Sequence, residues 1–340
     1  MPKVSVLMSV YNGERYLREA VESILGQTLA NFEFIIIDDG STDDTWNILA
    51  EYAFRDRRVV LIRNEGNIGL THSLNKGLQL ARGEYVARLD ADDVSLPERL
   101  DRQVHYLDLH PHVGVLGTWL SRIDASGNVI DTLALPTVSG VLKWSLHFDN
   151  CFPHSSVVLR RALLDQVGAY SSDVAYAQDY ELWSRMSTRT LLANLPQVLL
   201  LRRLGADNIS AIHLQAQSEI VIEVMQATMA RTLGDEVPAG FVMNLHRMMR
   251  GVTLPDSQSV CELARFIDRL LHAYLASEPL SDTEARWVVR DAASKLYILV
   301  GQNVKAYPRA ALQVAFQAER LDPRLPSFQT LLSLARDVVY

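Results

Sequence analysis

Residues 83–93 read GEYVARLDADD, a strand-like apolar run that ends in three carboxylates within four positions. Crowded carboxylates are unfavourable, because each negative charge disfavours ionisation of its neighbours. A divalent cation removes that penalty, and Mg²⁺ is usually bound by one or two carboxylates together with substrate phosphates. Asp90, Asp92 and Asp93 therefore indicate a metal-bound diphosphate. The alternative is an acidic turn before a helix, since Ser95 and Glu98 have capping-box spacing.

The residues that precede this stretch alternate between β-rich apolar runs and helical patterns. Strands are predicted at residues 4–10, 32–37 and 59–62, and apolar spacing predicts helices over 14–25 and 70–81. Such alternation implies a parallel sheet with right-handed crossovers. Ligands bind beyond the carboxyl ends of the strands in these sheets. The polar residues expected along that rim are Ser9, Tyr11, Asp38, Asp39, Asn67 and the three DADD carboxylates.

Composition and charge narrow the class of protein. The chain has 340 residues, 48% hydrophobic and 21% charged, which suits one large globular domain with a smaller one. Its net charge of -7 argues against a nucleic-acid binder, which should carry a basic patch. No signal peptide and no run of about 20 apolar residues stand out, so we expect a cytoplasmic protein. Cys151 and Cys261 are isolated, and we expect reduced thiols.

The pattern changes near Ser210, where strand-like runs give way to long helical ones. We therefore predict two domains, residues 1–210 and an all-helical region 211–340. Ser281 and Glu284 have the spacing of a capping box before a helix. The helical region could pack on the first domain, bind a partner or support a homo-oligomer. Three basic residues allow a peripheral membrane contact, although such charges more often form a solvated face: Arg247, Arg250 and Arg265.

Six ordered segments resemble the family 2 glycosyltransferases, which have the GT-A fold. They are VSVLMSVYNGERYL (4–17), FEFIIIDDGSTDDT (32–45), NEGNIGLTHSLNKGLQLARGEYVARLDADD (64–93), LPERLDRQ (96–103), PHSSVVLRRALLDQVGAY (153–170) and AQDYELWSRM (177–186). The resemblance covers about residues 3–210 and implies an α/β fold with a mostly parallel, nucleotide-binding sheet flanked by helices. It also implies inverting transfer of a sugar from a nucleoside-diphosphate sugar to an acceptor hydroxyl. A divalent metal, Mn²⁺ or Mg²⁺, is the implied cofactor.

Such enzymes often build bacterial surface polysaccharides or glycolipids, so the resemblance implies a saccharide or lipid-linked acceptor. It also assigns donor-binding roles. Asp39 would accept a hydrogen bond from the base, at the uracil imide if the donor is UDP-linked. Ser9 and Tyr11 would contact the base, and Asn67 would shape the loop beside it. Asp90 would bind the ribose hydroxyls. Simple turn chemistry is the alternative for Asn67, and a half-buried packing role is the alternative for Tyr11.

The remaining implied roles concern the metal and the acceptor. Asp92 would coordinate the metal, which neutralises the leaving nucleoside diphosphate. Asp179, at a predicted helix start, would be the base that takes the acceptor proton, with a helix cap as the alternative. His154, Trp183 and Arg203 are candidate acceptor or phosphate contacts. A structural histidine and a core tryptophan are the alternatives for the first two.

Two positions depart from the family pattern. Gln178 stands where relatives commonly carry the glutamate of a Glu-Asp pair, and Gly205 stands where many carry a histidine two residues after the arginine matched by Arg203. Glycine offers no side-chain ligand, and His213 lies eight residues further on. We therefore expect a metal bound mainly by Asp92, diphosphate oxygens and water.

Two other functions compete with this interpretation. A nucleotidyltransferase would use a similar sheet, but Tyr11-Asn12-Gly13 stands where a glycine-rich, basic phosphate loop would be expected. A non-catalytic nucleotide-sugar-binding or interaction module gains some support from Gln178. Release of pyrophosphate would identify the former, and sugar turnover would exclude the latter.

Overall fold

A computed structural model describes residues 1–174, 176–205 and 214–325 of the chain. The chain divides into two units. One comprises Met1–Ser139 and Asn150–Ile220, and the other comprises Gly140–Asp149 and the chain from Val221 onward. No sequence pattern signalled that the segment 140–149 groups with the later helices. The predicted boundary at residue 210 lies outside the described residues, so the division at that point stays a prediction.

A single mixed sheet forms the centre of the first unit. In the described residues its strands are β1 Val4–Val10, β2 Phe32–Asp38, β3 Val59–Arg63, β4 Tyr85–Arg88, β5 Val94–Ser95, β6 Val113–Ile123, β7 Val129–Leu133, β8 Val158–Arg160 and β9 Leu191–Arg203. Their order is β3-β2-β1-β4-β8-β6-β9-β5, with β7 beside β6. The first four strands are mutually parallel, whereas β8 runs antiparallel to β4 and β6. The predicted parallel, nucleotide-type half of the sheet is thus confirmed.

Helices connect the strands and continue through the rest of the chain. They are α1 Leu17–Leu25, α2 Thr45–Arg55, α3 Leu70–Leu80, α4 Arg99–Leu109, α5 Ser139–Ser145, α6 Arg161–Val167, α7 Gln178–Met186, α8 Leu214–Leu233, α9 Ala239–Met249, α10 Ser257–Ser277, α11 Asp282–Asn303 and α12 Pro308–Leu321. The described part of the chain after Leu214 is helical, as the sequence predicts. The expected capping box at Ser281 and Glu284 is present and opens α11.

Strands β1, β2 and β4 are buried at every position, because helices and neighbouring strands cover them. Their continuous apolar runs match what parallel strands covered on both faces require. Among the buried polar residues of these strands, Ser5 and Glu33 pair with each other, since the Ser5 hydroxyl donates to Glu33 over 2.7 Å. Arg82 donates three more hydrogen bonds to the same carboxylate, one from its backbone N–H and two from its guanidinium. Glu33, a buried charge near the amino ends of these strands, is therefore fully paired.

The structure differs from the sequence analysis at one predicted helix start and at one alternative, the capping box at Ser95. The predicted helix over 14–25 begins only at Leu17, because Gly13 donates its backbone N–H to the Thr45 hydroxyl and residues 13–16 form a turn. Ser95 does not cap a helix. It pairs with β9 as part of β5, and α4 begins after Glu98 without a side-chain cap. Long-range strand pairing overrode a local capping pattern there.

Candidate active site

The carboxyl ends of β1, β2 and β3 are tied together by main-chain hydrogen bonds. The Asp39 N–H donates to the Val10 carbonyl, and the Asn64 N–H donates to the Asp38 carbonyl, both over 2.8 Å. The side chains that follow these strands are therefore held at neighbouring points on one rim. Asp38 uses one carboxylate oxygen to accept from the Ser41 N–H, so it serves the turn.

Asp39 organises the loop that follows β3. Its carboxylate is buried and accepts from the Asn64 amide over 2.8 Å, from the Ile68 N–H over 3.0 Å and from the Gly69 N–H over 2.9 Å. A carboxylate has about four acceptor positions, so roughly one remains for a ligand donor. Asn67 is exposed in the same loop and accepts from the Gly69 N–H over 3.0 Å.

Gly40 allows this loop to approach the end of β2. Its φ is +75°, and a Cβ there would lie 2.5 Å from the Gly66 carbonyl carbon and 2.9 Å from the Asn67 nitrogen. Only glycine satisfies both the left-handed backbone and the close main-chain contact. The loop that carries Asn67 thus depends on a residue outside it.

We expect Gly40→Ala to destabilise the protein by roughly 1–3 kcal/mol, the cost of a strained left-handed residue, and to weaken nucleotide binding by displacing the 64–69 loop. Gly127→Ala is the matched control, because Gly127 also has a positive φ of 87° but nothing lies within 4 Å of its added Cβ. Urea denaturation and nucleotide titration measure the two effects. Equal losses in both variants would show that the Gly66 contact is unimportant.

Ser9 and Tyr11 end the rim at β1. Ser9 is buried at the second-to-last position of β1, and Tyr11, just beyond the strand, is 47% exposed. A tyrosine ring that open remains able to stack on a base. The structure therefore brings both residues to the predicted edge, and their contacts with a nucleotide stay predictions.

Asp90 is held by two neighbours. Its carboxylate pairs with Arg88 over 2.5 Å and accepts from the Ser155 hydroxyl over 2.7 Å. Burial alone would raise the pKa of Asp90, but the charge of Arg88, the hydrogen bond from Ser155 and the charge of Arg202 act with other nearby groups in the opposite direction and lower it to about 2. Asp90 is therefore an anion at any physiological pH, suited to accept hydrogen bonds from hydroxyl groups.

The other two DADD carboxylates differ in their surroundings. Asp93 is buried and accepts from the Arg203 N–H over 2.9 Å, whereas no other described residue hydrogen-bonds to the Asp92 carboxylate. Burial, followed by the charge of Asp90, raises the pKa of Asp92 to about 6. Burial together with both neighbouring aspartates raises the pKa of Asp93 to about 8. Asp92 is thus the carboxylate of this cluster that remains available to a cation.

Arg203 has a largely structural environment. Its guanidinium is 3% exposed, donates to the Asp92 carbonyl over 3.1 Å, pairs with Glu19 over 2.6 Å and lies 4.3 Å from the centre of the Tyr16 ring. Arg203 therefore stabilises the DADD turn through its hydrogen bond to the Asp92 carbonyl. A direct phosphate contact by Arg203 stays a prediction.

Arg202 is a residue that the sequence analysis overlooked. It is half-buried, its charge lowers the pKa of both Asp90 and Asp92, and its guanidinium forms no hydrogen bond with a described residue. Alternation along β9 explains the difference, because successive side chains point to opposite faces of a sheet. This alternation is the sequence signal that could have identified Arg202: if Arg203 is buried on one face of the strand, Arg202 lies on the other.

Asp179 lies in the first turn of α7, and it is not the cap, because Ala177 occupies that position. Its carboxylate is half-buried and accepts from the Asn150 amide over 2.8 Å. Loss of water raises the pKa of Asp179 to about 6, and the charge of Asp90 contributes in the same direction. The adjacent Gln178 is buried, and its amide oxygen has no hydrogen-bond partner in the described part of the chain. The donor rim and the predicted base thus lie within range of each other's charge.

The two aromatic candidates are placed differently from one another. Trp183 is fully buried, with its ring edge-on to Phe152, so it packs in the core in this structure. His154 is half-buried, and its Nε2 lies 2.8 Å from the Tyr170 hydroxyl. Burial, assisted by the Arg88 charge, lowers the pKa of His154 to about 3, so the ring is neutral. Their contacts with an acceptor stay predictions.

The described residues contain no group of three or more His, Cys, Asp and Glu arranged to hold a metal by themselves. Gly205 is exposed at the end of the described segment, and His213 lies outside the described residues. The expectation that no histidine completes the metal site therefore stays a prediction, because His213 is not described.

The acidic turn after β4 lies where the sequence predicts a nucleotide-sugar site, and the charge of Asp90 contributes to the raised pKa of the predicted base, Asp179. Residues 5–166 match the family model described as glycosyl transferase family 2. An uncharacterized glycosyltransferase of Haemophilus influenzae is 34% identical over 227 residues, which are 64% of this chain and 70% of that protein. The chain belongs to glycosyl transferase family 2, and it is a glycosyltransferase.

Two further relatives have names that indicate their class or role. The amylovoran biosynthesis glycosyltransferase AmsE of Erwinia amylovora is 34% identical over 61% of this chain and 78% of its own length. The putative glycosyltransferase EpsE of Bacillus subtilis is 40% identical over 54% of this chain and 66% of its own length. Relatives with polysaccharide-synthesis roles are therefore among those that this chain resembles.

Solved structures support the fold. S. aureus TarS 1-349 in complex with UDP-GlcNAc has a TM-score of 0.57 at 18% identity, covering 99% of this chain and 93% of that chain. The mannosyltransferase PcManGT of Pyrobaculum calidifontis, in complex with GDP-Man and Mn²⁺, has a TM-score of 0.55 at 21% identity, covering 95% and 88%. The expected GT-A fold with a helical C-terminal region is thus confirmed.

Proposed function

We propose that this protein is an inverting glycosyltransferase that moves a sugar from a nucleoside diphosphate, most simply UDP, to a saccharide or lipid-linked hydroxyl. The observation that carries the proposal is Asp179, a carboxylate whose pKa is raised to about 6 within range of the Asp90 charge. AmsE, a glycosyltransferase of amylovoran biosynthesis, supports an acceptor in bacterial surface polysaccharide or glycolipid synthesis.

On the donor side, Asp39 would accept from the base with its remaining acceptor position, and Tyr11 would stack on the base. Ser9 and Asn67 would complete this part of the pocket. Asp90 would accept from the ribose hydroxyls, for which its low pKa suits it, since an ionised carboxylate only accepts. TarS, crystallised with UDP-GlcNAc, supports a uridine donor by analogy of fold.

The residues present fit a divalent cation. Asp92 is a carboxylate without a hydrogen bond from another residue, and its neighbours Asp90 and Asp93 already have partners. Mg²⁺ and Mn²⁺ favour such oxygen ligands, and one carboxylate with phosphate oxygens and water is a usual arrangement. Asp92 would therefore hold Mn²⁺ or Mg²⁺, which when bound neutralises the leaving diphosphate. Arg202, beside the same carboxylates, would supply a further positive charge for the phosphates.

On the acceptor side, Asp179 would take the proton of the acceptor hydroxyl as its oxygen attacks the anomeric carbon opposite the leaving group. A base is most effective when its pKa lies close to the working pH, so a carboxylate raised toward neutrality is a better base than an ordinary one. Asn150 would orient it, because its amide donates to one carboxylate oxygen over 2.8 Å.

A thermal-shift screen against a panel of nucleotide-sugars, followed by product analysis with Mn²⁺, tests the proposal. A ligand at 100 times its Kd should stabilise the fold by about 2.7 kcal/mol. Release of the nucleoside diphosphate with sugar transfer is the expected result. Pyrophosphate would identify a nucleotidyltransferase, and binding without turnover would identify a binding module.

Membrane contact and self-association also stay predictions. No helix within the described ranges is long and apolar enough to cross a bilayer. Arg247, Arg250 and Arg265 are exposed in the helical unit, as a peripheral contact would require. Co-sedimentation with anionic vesicles would test that contact, and light scattering would test for a homo-oligomer.

A further inference from the structure

Tyr170, which is buried, and His154, which is half-buried, form a hydrogen-bonded pair beside the acidic cluster. Tyr170 is 5% exposed, and its hydroxyl oxygen lies 2.8 Å from the His154 Nε2. The two rings also meet edge to face, with centroids 5.5 Å apart and an interplanar angle of 69°. No other described residue hydrogen-bonds to this hydroxyl. The pair is therefore the single polar contact of the Tyr170 side chain in the described chain.

Tyr170 donates this hydrogen bond and His154 accepts it, as the positions of their protons require. A buried O–H donor is costly to leave unpaired, and among the described residues the only acceptor bonded to the Tyr170 hydroxyl is the His154 Nε2. If Nε2 were instead protonated, the tyrosine proton would have no acceptor. His154 is neutral, so its ring carries one proton. That proton must lie on Nδ1.

The Nδ1 atom is available to a ligand. It has no hydrogen-bond partner among the described residues, and the His154 side chain is only half-buried. The next residue, Ser155, donates to the Asp90 carboxylate over 2.7 Å and accepts from the Asp90 N–H over 3.1 Å. His154 is thus fixed in the chain directly beside the residue that binds Asp90.

Asn75 holds the tyrosine from the other side. Its side-chain amide donates to the Tyr170 carbonyl over 2.8 Å and accepts from the Tyr170 N–H over 3.1 Å. Asn75 lies on α3, the helix that follows the 64–69 loop. Two main-chain hydrogen bonds from one side chain fix the backbone position of Tyr170 and, through it, the hydroxyl that faces His154.

We propose that Tyr170, held by Asn75, is a positioning residue that keeps His154 in the Nδ1-protonated tautomer, so that this N–H donates a hydrogen bond to a substrate oxygen. The substrate part rests on the proposed function. The oxygen belongs either to a hydroxyl of the acceptor or to the donor, and both are hydrogen-bond acceptors of the same chemistry. The tautomer itself does not depend on which substrate is used.

The first test reads the tautomer directly. In ¹⁵N NMR of the full chain, a protonated and an unprotonated ring nitrogen have well-separated shifts. The signals of His154 are those that disappear in His154→Asn, one histidine of nine. We expect protonated Nδ1 and unprotonated Nε2 in the parent and a redistribution in Tyr170→Phe and Asn75→Ala. A protonated Nε2 in the parent would overturn the proposal, whatever the enzyme's activity.

The second test exploits two amides that replace the two ring nitrogens. The amide nitrogen of asparagine can occupy the place of Nδ1, and that of glutamine the place of Nε2. His154→Asn should therefore retain about tenfold more activity than His154→Gln, as expected for one hydrogen bond. An effect on the KM of the acceptor or of the donor identifies the oxygen. The opposite ranking of the two variants would contradict an Nδ1 donor.

The third test separates positioning from packing. Tyr170→Phe should lower turnover about tenfold in the parent but have little further effect in His154→Asn, because asparagine has no tautomer to select. Equal losses in both backgrounds would show that Tyr170 only supports the fold. Tyr106→Phe is the matched control, since Tyr106 stacks on His110 with centroids 4.0 Å apart on another helix. Circular dichroism confirms folding of each variant.

Discussion

Asp179→Asn is expected to lower the rate of sugar transfer by roughly 10²–10⁴-fold, the usual contribution of a general base. The substitution removes the oxygen that takes the proton and barely changes the volume, so donor binding should stay close to that of the parent. Initial rates with donor and acceptor, together with donor titration by calorimetry, measure the two properties separately. Near-normal turnover would remove Asp179 from the mechanism.

The same residue predicts a pH profile. A base acts in its ionised form, and the pKa of Asp179 is raised to about 6, so the parent rate should fall about tenfold per pH unit below that value. The residual rate of the Asn variant should lack this inflection. Glu181→Gln is the control on the same helix. Glu181 already pairs with Arg185 over 2.5 Å, and its loss should leave the profile unchanged.

Asp92→Asn should remove the metal-dependent part of nucleotide affinity. Even residues that merely support a metal ligand typically contribute 10–100-fold to metal affinity, so we expect a loss of at least about that size. Calorimetric titration of the nucleoside diphosphate with and without Mn²⁺ measures it. An unchanged response to Mn²⁺ would show that Asp92 is not a ligand.

Two controls sharpen this result. Asp39→Ala should weaken binding equally with and without Mn²⁺, because Asp39 is proposed to contact the base and also supports the loop that carries Asn67. Mn²⁺ alone should bind the free protein weakly, since one carboxylate and water make a poor cage. Tight binding of Mn²⁺ to the free protein, lost in His213→Ala, would mean that the site has a further ligand.

The role of the arginines near the DADD turn shows where sequence reasoning fell short. Matching the family pattern selected Arg203, yet its guanidinium is buried and braces the turn through a carbonyl and Glu19. Arg202, whose charge also acts on Asp90 and Asp92, emerged as a candidate only when the face of β9 was known. A sequence motif shows that an arginine is near the turn, but the direction of its side chain depends on how β9 is placed in the sheet.

The sequence by itself determined the parallel half of the sheet, the helical nature of the later chain and the positions of the polar rim. Those features are local, because apolar periodicity and polar residues at strand ends depend on a few consecutive residues. Only the tertiary structure decided which DADD carboxylate is free and which nitrogen of His154 carries the proton. It also decided that Ser95 joins β9 and that Gly40 must be glycine. These depend on contacts between residues far apart in the chain, such as Asp93 with Arg203 and Tyr170 with His154, which no local pattern contains.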